Sequence, residues 1–206
     1  GQRHTGASRR EAVGVSPRRR GGTRDALLAD VTDLGTGNAV AHMHRKGHVG
    51  ASLVVYAPLG FLVTALASIE LGLVGAAGVA SLAMVPDLDM RVPFVKHRGI
   101  THTVWFALLV GVAFGIAGLA LGLQSGVAEA LLFGGAGFLF GAVTIVSHLL
   151  ADALTPMGVR PYAPVRDDEY TLDLFTAANP LANYGLLGLG GVVVGVALVA
   201  GEAVPV

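Results

Sequence analysis

Residues 127–147 read VAEALLFGGAGFLFGAVTIVS and are followed at once by His148 and, one helical turn later, by Asp152. At about 1.5 Å per residue, a helical stretch of this length crosses the roughly 30 Å hydrocarbon core of a bilayer. Four further apolar stretches occur at 49–69, 71–86, 104–123 and 181–201. The stretch at 71–86 is short for a spanning helix. The sequence therefore predicts an all-α integral membrane bundle of about five transmembrane helices.

Composition supports this class. Charged residues make up 14% of the 206-residue chain, against about 25% in ordinary soluble domains. The chain has no cysteine, which excludes cysteine nucleophiles, thiolate zinc sites and iron–sulfur clusters. The formal net charge is zero, so no nucleic-acid partner is expected. Glycines four residues apart predict closely packed helices. These pairs are Gly111 with Gly115, Gly118 with Gly122, Gly137 with Gly141, and Gly191 with Gly195.

The first 42 residues differ from the rest of the chain. Seven arginines fall within residues 1–24, and no apolar periodicity is sustained before Met43. We interpret residues 1–42 as a disordered arm. Alternatively, Met43 is the true start and the arm is upstream sequence that is not translated. Residues 43–206 then form the membrane-embedded domain.

The basic residues predict the orientation of the bundle. When the five apolar stretches are threaded alternately through a membrane, all 14 lysines and arginines fall on the side of the N-terminus. Positively charged loops stay in the cytoplasm. We therefore expect a multi-pass protein of the inner (cytoplasmic) membrane with a cytoplasmic N-terminus and an outward C-terminus. The oligomeric state is left open.

Histidine and aspartate side chains cluster at helix ends on this same side. Residues i and i+4 of a helix share a face, so His148 and Asp152 can bind one ion. Imidazole and carboxylate ligands together suit zinc, with manganese or iron as alternatives. Taken singly, each residue is better explained as a solvated or hydrogen-bonded helix end, and the metal site is indicated by their occurrence together. The candidate ligands are His48, Asp87, Asp89, His102, His148 and Asp152.

Other polar residues of these segments are candidates for catalysis. A carboxylate of the Asp pair that is not bound to metal, Asp89, can serve as general base. Arg98 and His97 are candidates for contacting a phosphate or an oxyanion. Thr101, just before His102, is a candidate helix cap.

Together these elements resemble the YdjM-like membrane-bound metal-dependent hydrolases. The motifs are PDxD at residues 86–89, HRGxTH at 97–102 and HxxxDxxTPxGV at 148–159, and the resemblance covers about residues 43–165. Met90 departs from the histidine that often follows PDxD in this family. The resemblance implies metal-dependent hydrolysis without fixing a substrate.

The leading hypothesis is a membrane-bound, metal-dependent hydrolase with a cytoplasmic-facing site, acting on an ester or phosphoester of a small molecule or lipid. The alternative is a metal-binding membrane protein without hydrolase activity, either a divalent-cation transporter or a structural subunit. Transport is disfavoured because transporter sites usually lie near the membrane midplane, and these polar residues lie at helix ends.

Overall fold

A computed structural model of the chain describes residues 43–94 and 97–205. The interpretation of residues 1–42 as a disordered arm lies outside these residues. The described chain is helical apart from its loops and one isolated antiparallel bridge, between Val159 and Tyr170, so the all-α prediction is confirmed. Its α-helices are α1 (Arg45–Leu66), α2 (Ile69–Leu82), α3 (Val104–Gly122), α4 (Val127–Ala153) and α5 (Pro180–Glu202).

Within the described residues, five segments are long and apolar enough to cross a membrane, as the sequence predicted. The second of these, Ile69–Arg91, combines the short helix α2 with a 3₁₀ helix at Pro86–Arg91. Pro86 has no N–H to continue the α-helical ladder and occupies the first turn of the 3₁₀ helix. The backbone therefore changes from an α-helix to the narrower 3₁₀ helix at the residues that include Asp87 and Asp89.

Helices α3 and α4 pack backbone against backbone through glycine. A Cβ added to Gly118 would meet the carbonyl oxygen of Phe133, and one added to Gly122 would meet the backbone of Ala130. The close packing predicted from glycine spacing therefore occurs here. It does not occur at Gly191 and Gly195, where a Cβ would meet no atom within 4 Å. Spacing on one helix does not determine which face meets a neighbour, so that prediction was wrong within the described chain.

Helices α1 and α5 make a second close pair. A Cβ on Gly190 would meet the carbonyl oxygen of Gly50, and one on Gly201 would meet that of Phe61. Tyr56 of α1 is buried in the apolar core and donates a hydrogen bond to the carbonyl of Gly72 in α2, at 3.0 Å. Helix α1 is thereby fixed between α5 and α2, which sets the position of its first turn.

Helix ends near the predicted site are capped by specific side chains and backbone groups. Thr103, not the predicted Thr101, caps α3, since its Oγ1 accepts from the N–H of Phe106 at 3.3 Å. The C-terminal carbonyls of α4 and its last turn are satisfied by residues 171–174. The donors are Leu172 N to Ala153 O at 2.7 Å, Leu174 N to Leu154 O at 2.9 Å, and Thr171 Oγ1 to Thr155 O at 2.6 Å.

Candidate metal centre

The structure brings all six sequence-predicted ligand residues into one buried cluster, which we call the His/Asp cluster. It contains His48, Asp87, Asp89, His102, His148 and Asp152, none more than 8% exposed. His48 lies in the first turn of α1, and His148 and Asp152 lie in the last turns of α4. The aspartates come from the 3₁₀ helix Pro86–Arg91, and His102 ends the 3₁₀ turn Ile100–His102. The N-terminal end of α1, the C-terminal end of α4 and the two 3₁₀ segments thus meet at the cluster.

Four atoms form the centre of this cluster. Asp87 Oδ1 lies 3.3 Å from His102 Nε2 and 3.4 Å from His148 Nε2. The two nitrogens are 3.2 Å apart, and Asp152 Oδ2 lies 3.5 Å from each. Tetrahedral zinc with bonds of about 2.0–2.1 Å requires ligand atoms separated by about 3.3–3.4 Å. These five separations are close to those expected between the ligands of one tetrahedral ion, and they join every pair of the four atoms except the two carboxylate oxygens.

The donors also have free lone pairs directed at one another. His148 Nδ1 lies 2.7 Å from the carbonyl oxygen of Ala83. A carbonyl can only accept, so Nδ1 carries the proton and Nε2 presents its lone pair to the cluster. Asp152 Oδ2 is buried and has no hydrogen-bond partner. A buried carboxylate oxygen without a partner is costly, and a cation at this position would satisfy it.

His102 is oriented by a chain of hydrogen bonds. Thr101 Oγ1 donates to Asp89 Oδ2 at 2.6 Å, so it can only accept from His102 Nδ1, which lies 3.0 Å away. The proton on Nδ1 leaves Nε2 free to face the centre. Asp89 Oδ1 lies 2.8 Å from Nδ1 of His97. Asp89, predicted as a ligand and as a general base, therefore lies behind His102 and bonds the HRGxTH segment that carries it.

Arg98 joins the two longest motifs. Its guanidinium donates to Asp152 Oδ1 and to the carbonyl oxygen of Gly158, both at 2.6 Å. Arg98 has a φ of +56°, a left-handed conformation that is uncommon for a side-chain-bearing residue. Occupying Oδ1 leaves Oδ2 of Asp152 directed at the two imidazoles. Sequence reasoning assigned Arg98 to a substrate phosphate, and in the structure its guanidinium orients Asp152.

His48 completes the cluster at longer range. Its ring stacks on that of His148, with centroids 4.0 Å apart and planes 7° from parallel. His48 Nε2 is 3.9 Å from Asp87 Oδ2 and from Asp152 Oδ1. One turn deeper, the hydroxyls of Ser52 and Ser147 form a 2.9 Å hydrogen bond between α1 and α4. Ser52 is four residues from His48 and Ser147 adjoins His148, so this bond links the two helix ends that carry the stacked histidines.

Three overlapping groups in the described chain have the spacing of metal ligands. They are His48 with His148 and Asp152, Asp87 with His102 and His148, and Asp89 with His97 and His102. The first two share His148, which has only Nε2 available. The third would require Nδ1 of His102, which is hydrogen-bonded on the Asp89 side. The first two groups therefore cannot hold separate ions through His148.

The spans and the cluster define a class: a multi-pass membrane protein with buried His/Asp groups that could hold a metal ion at one end of its bundle. The sequence model of the family described as YdjM inner membrane protein matches residues 43–203. The chain belongs to that family, and the match includes all five helices and the whole His/Asp cluster. No curated protein and no solved structure matches the chain.

Proposed function

We propose that this protein is a metal-dependent hydrolase of the inner membrane, acting on an ester or phosphoester. The observation that supports this best is the set of four donor atoms on Asp87, His102, His148 and Asp152. Their spacing suits a transition metal, and the buried Asp152 oxygen has no other partner. Zinc fits two imidazoles and two carboxylates, and manganese or iron would fit the same donors.

A bound divalent ion in this set would supply Lewis-acid activation of water and of the scissile carbonyl or phosphoryl group. The protein's own residues would supply the geometry. Arg98 turns Asp152 toward the imidazoles, and Asp89 holds His102 through Thr101. Such outer contacts fix ligand orientation and tune affinity. His97 has the most exposed side chain of these groups, at 22%, and is our candidate for contacting substrate.

Metal content tests the first half of this proposal. Protein purified in detergent should contain close to one equivalent of metal by mass spectrometry, and the double variant His148→Ala, Asp152→Ala should contain none. A matched control removes His44 and Asp168, which are exposed, and should keep the metal. Wild-type protein that stays metal-free after incubation with zinc, manganese or iron would refute the site.

Turnover tests the second half. Nitrophenyl esters and phosphoesters should be hydrolysed by the metal-loaded protein and the control, and not by the cluster double variant. Equal rates in all three would show that hydrolysis does not occur at this cluster.

One observation favours the alternative of a metal-binding protein without hydrolase activity. Asp87, His102, His148 and Asp152 offer four protein donors, which is the number in structural zinc sites, whereas catalytic zinc has three protein ligands and one open position. Substitution with cobalt distinguishes the two cases by its visible spectrum. A five-coordinate spectrum that changes with added phosphate supports hydrolysis, and a tetrahedral spectrum that phosphate leaves unchanged supports a structural ion.

A further inference from the structure

The segment that supplies the aspartates carries apolar side chains on its opposite side. Asp87 and Asp89 are buried in the cluster, whereas the alternate residues point outward. Leu88, Met90 and Val92 are each about half exposed, and Phe94 is fully exposed. In the 3₁₀ helix Pro86–Arg91 both aspartates are thus buried, while Leu88 and Met90 are exposed together with Arg91.

The start of α3 extends this surface. The two 3₁₀ segments, Pro86–Arg91 and Ile100–His102, contact each other. Ile100 is 66% exposed and Trp105 is 44% exposed. We call the combined surface the apolar collar. It consists of Leu88, Met90, Val92, Phe94, Ile100 and Trp105.

The collar is unsuited to water. Its six large apolar side chains are each at least 44% exposed and lie on segments that contact one another, and grouped apolar side chains of this kind mark an interaction surface. Phe94 has a φ of +72°, an outlier conformation for a bulky residue. The Phe94 side chain is also fully exposed, so its ring is not packed against the described residues.

The surroundings identify what covers the collar. It continues directly from the membrane span Ile69–Arg91 and reaches Trp105 in the first turn of α3. Tryptophan at the end of a spanning helix and exposed arginine, here Arg91, are typical of the lipid headgroup boundary. The two adjoining spans also carry exposed apolar side chains, among them Val74 and Leu109, so lipid is the occupant that the collar fits.

We infer that the apolar collar is immersed in a lipid leaflet and that the His/Asp cluster receives its substrate from that leaflet, as a long-chain lipid with an anionic headgroup. His97 and Arg98 lie in the chain between Phe94 and Ile100, and they are hydrogen-bond donors beside the cluster whose side chains are 22% and 12% exposed. A headgroup at their position would leave its acyl chains beside the collar. The substrate part of this inference rests on the proposed function, whereas the lipid contact does not.

The absence of cysteine allows the contact to be tested in the full chain. Single variants Met90→Cys and Phe94→Cys, with Asp168→Cys as an exposed polar control, are labelled with an environment-sensitive fluorophore. Each is reconstituted in vesicles of phosphatidylcholine and phosphatidylglycerol that contain lipids with a nitroxide on the acyl chain. We expect at least twofold quenching at positions 90 and 94 and little at 168. Quenching by aqueous iodide but not by nitroxide lipid at 90 and 94 would overturn the inference.

The substrate class is tested with two phosphomonoesters that share a headgroup: dioleoyl phosphatidic acid in mixed micelles and monomeric dihexanoyl phosphatidic acid. The variant Leu88→Ser, Phe94→Ser should lose at least tenfold in turnover of the long-chain probe, with its metal content and short-chain turnover unchanged. If the double variant loses equal activity on both probes, or if the wild type hydrolyses only the short-chain probe, the inference of a long-chain lipid substrate is overturned. Neither result contradicts the proposed hydrolase function. Hydrolysis of neither probe, nor of nitrophenyl esters, by metal-loaded protein would overturn the proposed function, and the quenching experiment would still decide the collar.

Discussion

Asp87 and Asp89 are two residues apart and are both buried, yet the structure gives them different roles that substitution can separate. Asp87 Oδ1 faces both central imidazole nitrogens, at 3.3 and 3.4 Å. Asp89 accepts hydrogen bonds from His97 and Thr101 and lies on the far side of His102. We expect Asp87→Asn to abolish metal binding and Asp89→Asn to weaken it.

The size of the second effect follows from the contacts of Asp89. Asparagine keeps one acceptor oxygen but loses the charge and one of the two hydrogen bonds, at 2.8 and 2.6 Å. A hydrogen bond to a charged group contributes about 1.5–3 kcal/mol. Because each 1.4 kcal/mol or so is a factor of ten in affinity, this loss weakens binding by about 10- to 100-fold. Substitutions of residues that hydrogen-bond to metal ligands in other proteins lower metal affinity by a similar factor, about 10- to 100-fold.

The assay is a zinc titration of detergent-purified protein in competition with a fluorescent chelator. Asp89→Asn should still bind one equivalent at saturating zinc, with the weaker constant, and Asp87→Asn should bind none. Asp173→Asn is the control, since Asp173 is exposed and its φ of +45° suits asparagine. If Asp89→Asn loses zinc as completely as Asp87→Asn, then Asp89 is a ligand. If its affinity is unchanged, the orienting role is wrong.

Further predictions concern stability, organisation and orientation. Gly118→Ala should destabilise the protein by about 1–3 kcal/mol because its methyl group meets backbone, while Gly191→Ala should leave the melting temperature unchanged. A chain shortened to start at Met43 should bind as much metal as the full chain, and a shortened chain without metal would show that residues 1–42 contribute. A C-terminal alkaline phosphatase fusion should be active and a C-terminal green fluorescent protein fusion dark, the reverse of the pattern for a cytoplasmic C-terminus. Zinc at a thousand times its dissociation constant should stabilise the wild type by about 4 kcal/mol, with no shift in His148→Ala.

The architecture could be predicted because a bilayer imposes a length on its spanning helices. The helix ends were less predictable. The apolar run of α4 stops at residue 147, yet the helix continues to Ala153. Its last turns carry His148 and Asp152, which interrupt the hydropathy but have partners within the protein. Hydropathy therefore located the spans but underestimated the length of α4, the helix that carries His148 and Asp152.

The meeting of the cluster residues could be predicted from topology, because alternate helix ends share one side of a membrane. Individual pairings could not. Arg98 and Asp152 are 54 positions apart, and nothing in the local sequence indicates that this arginine orients a carboxylate. Thr101 and Thr103 are both suitable caps, and only the start of α3 at Val104 decides between them. Which partner each polar atom takes depends on tertiary contacts.

The capping of α4 by residues 171–174 links the cluster to the loop that follows it. The amides of Leu172 and Leu174 are occupied by carbonyls just beyond Asp152, so this segment cannot detach without leaving those carbonyls unpaired. Local opening of the loop and fraying of the turn that bears Asp152 therefore form one cooperative unit. An ion bound by Asp152 would stabilise that unit as a whole. Metal binding should therefore slow hydrogen exchange at the amides of Leu172 and Leu174, about twenty residues from Asp152 along the chain.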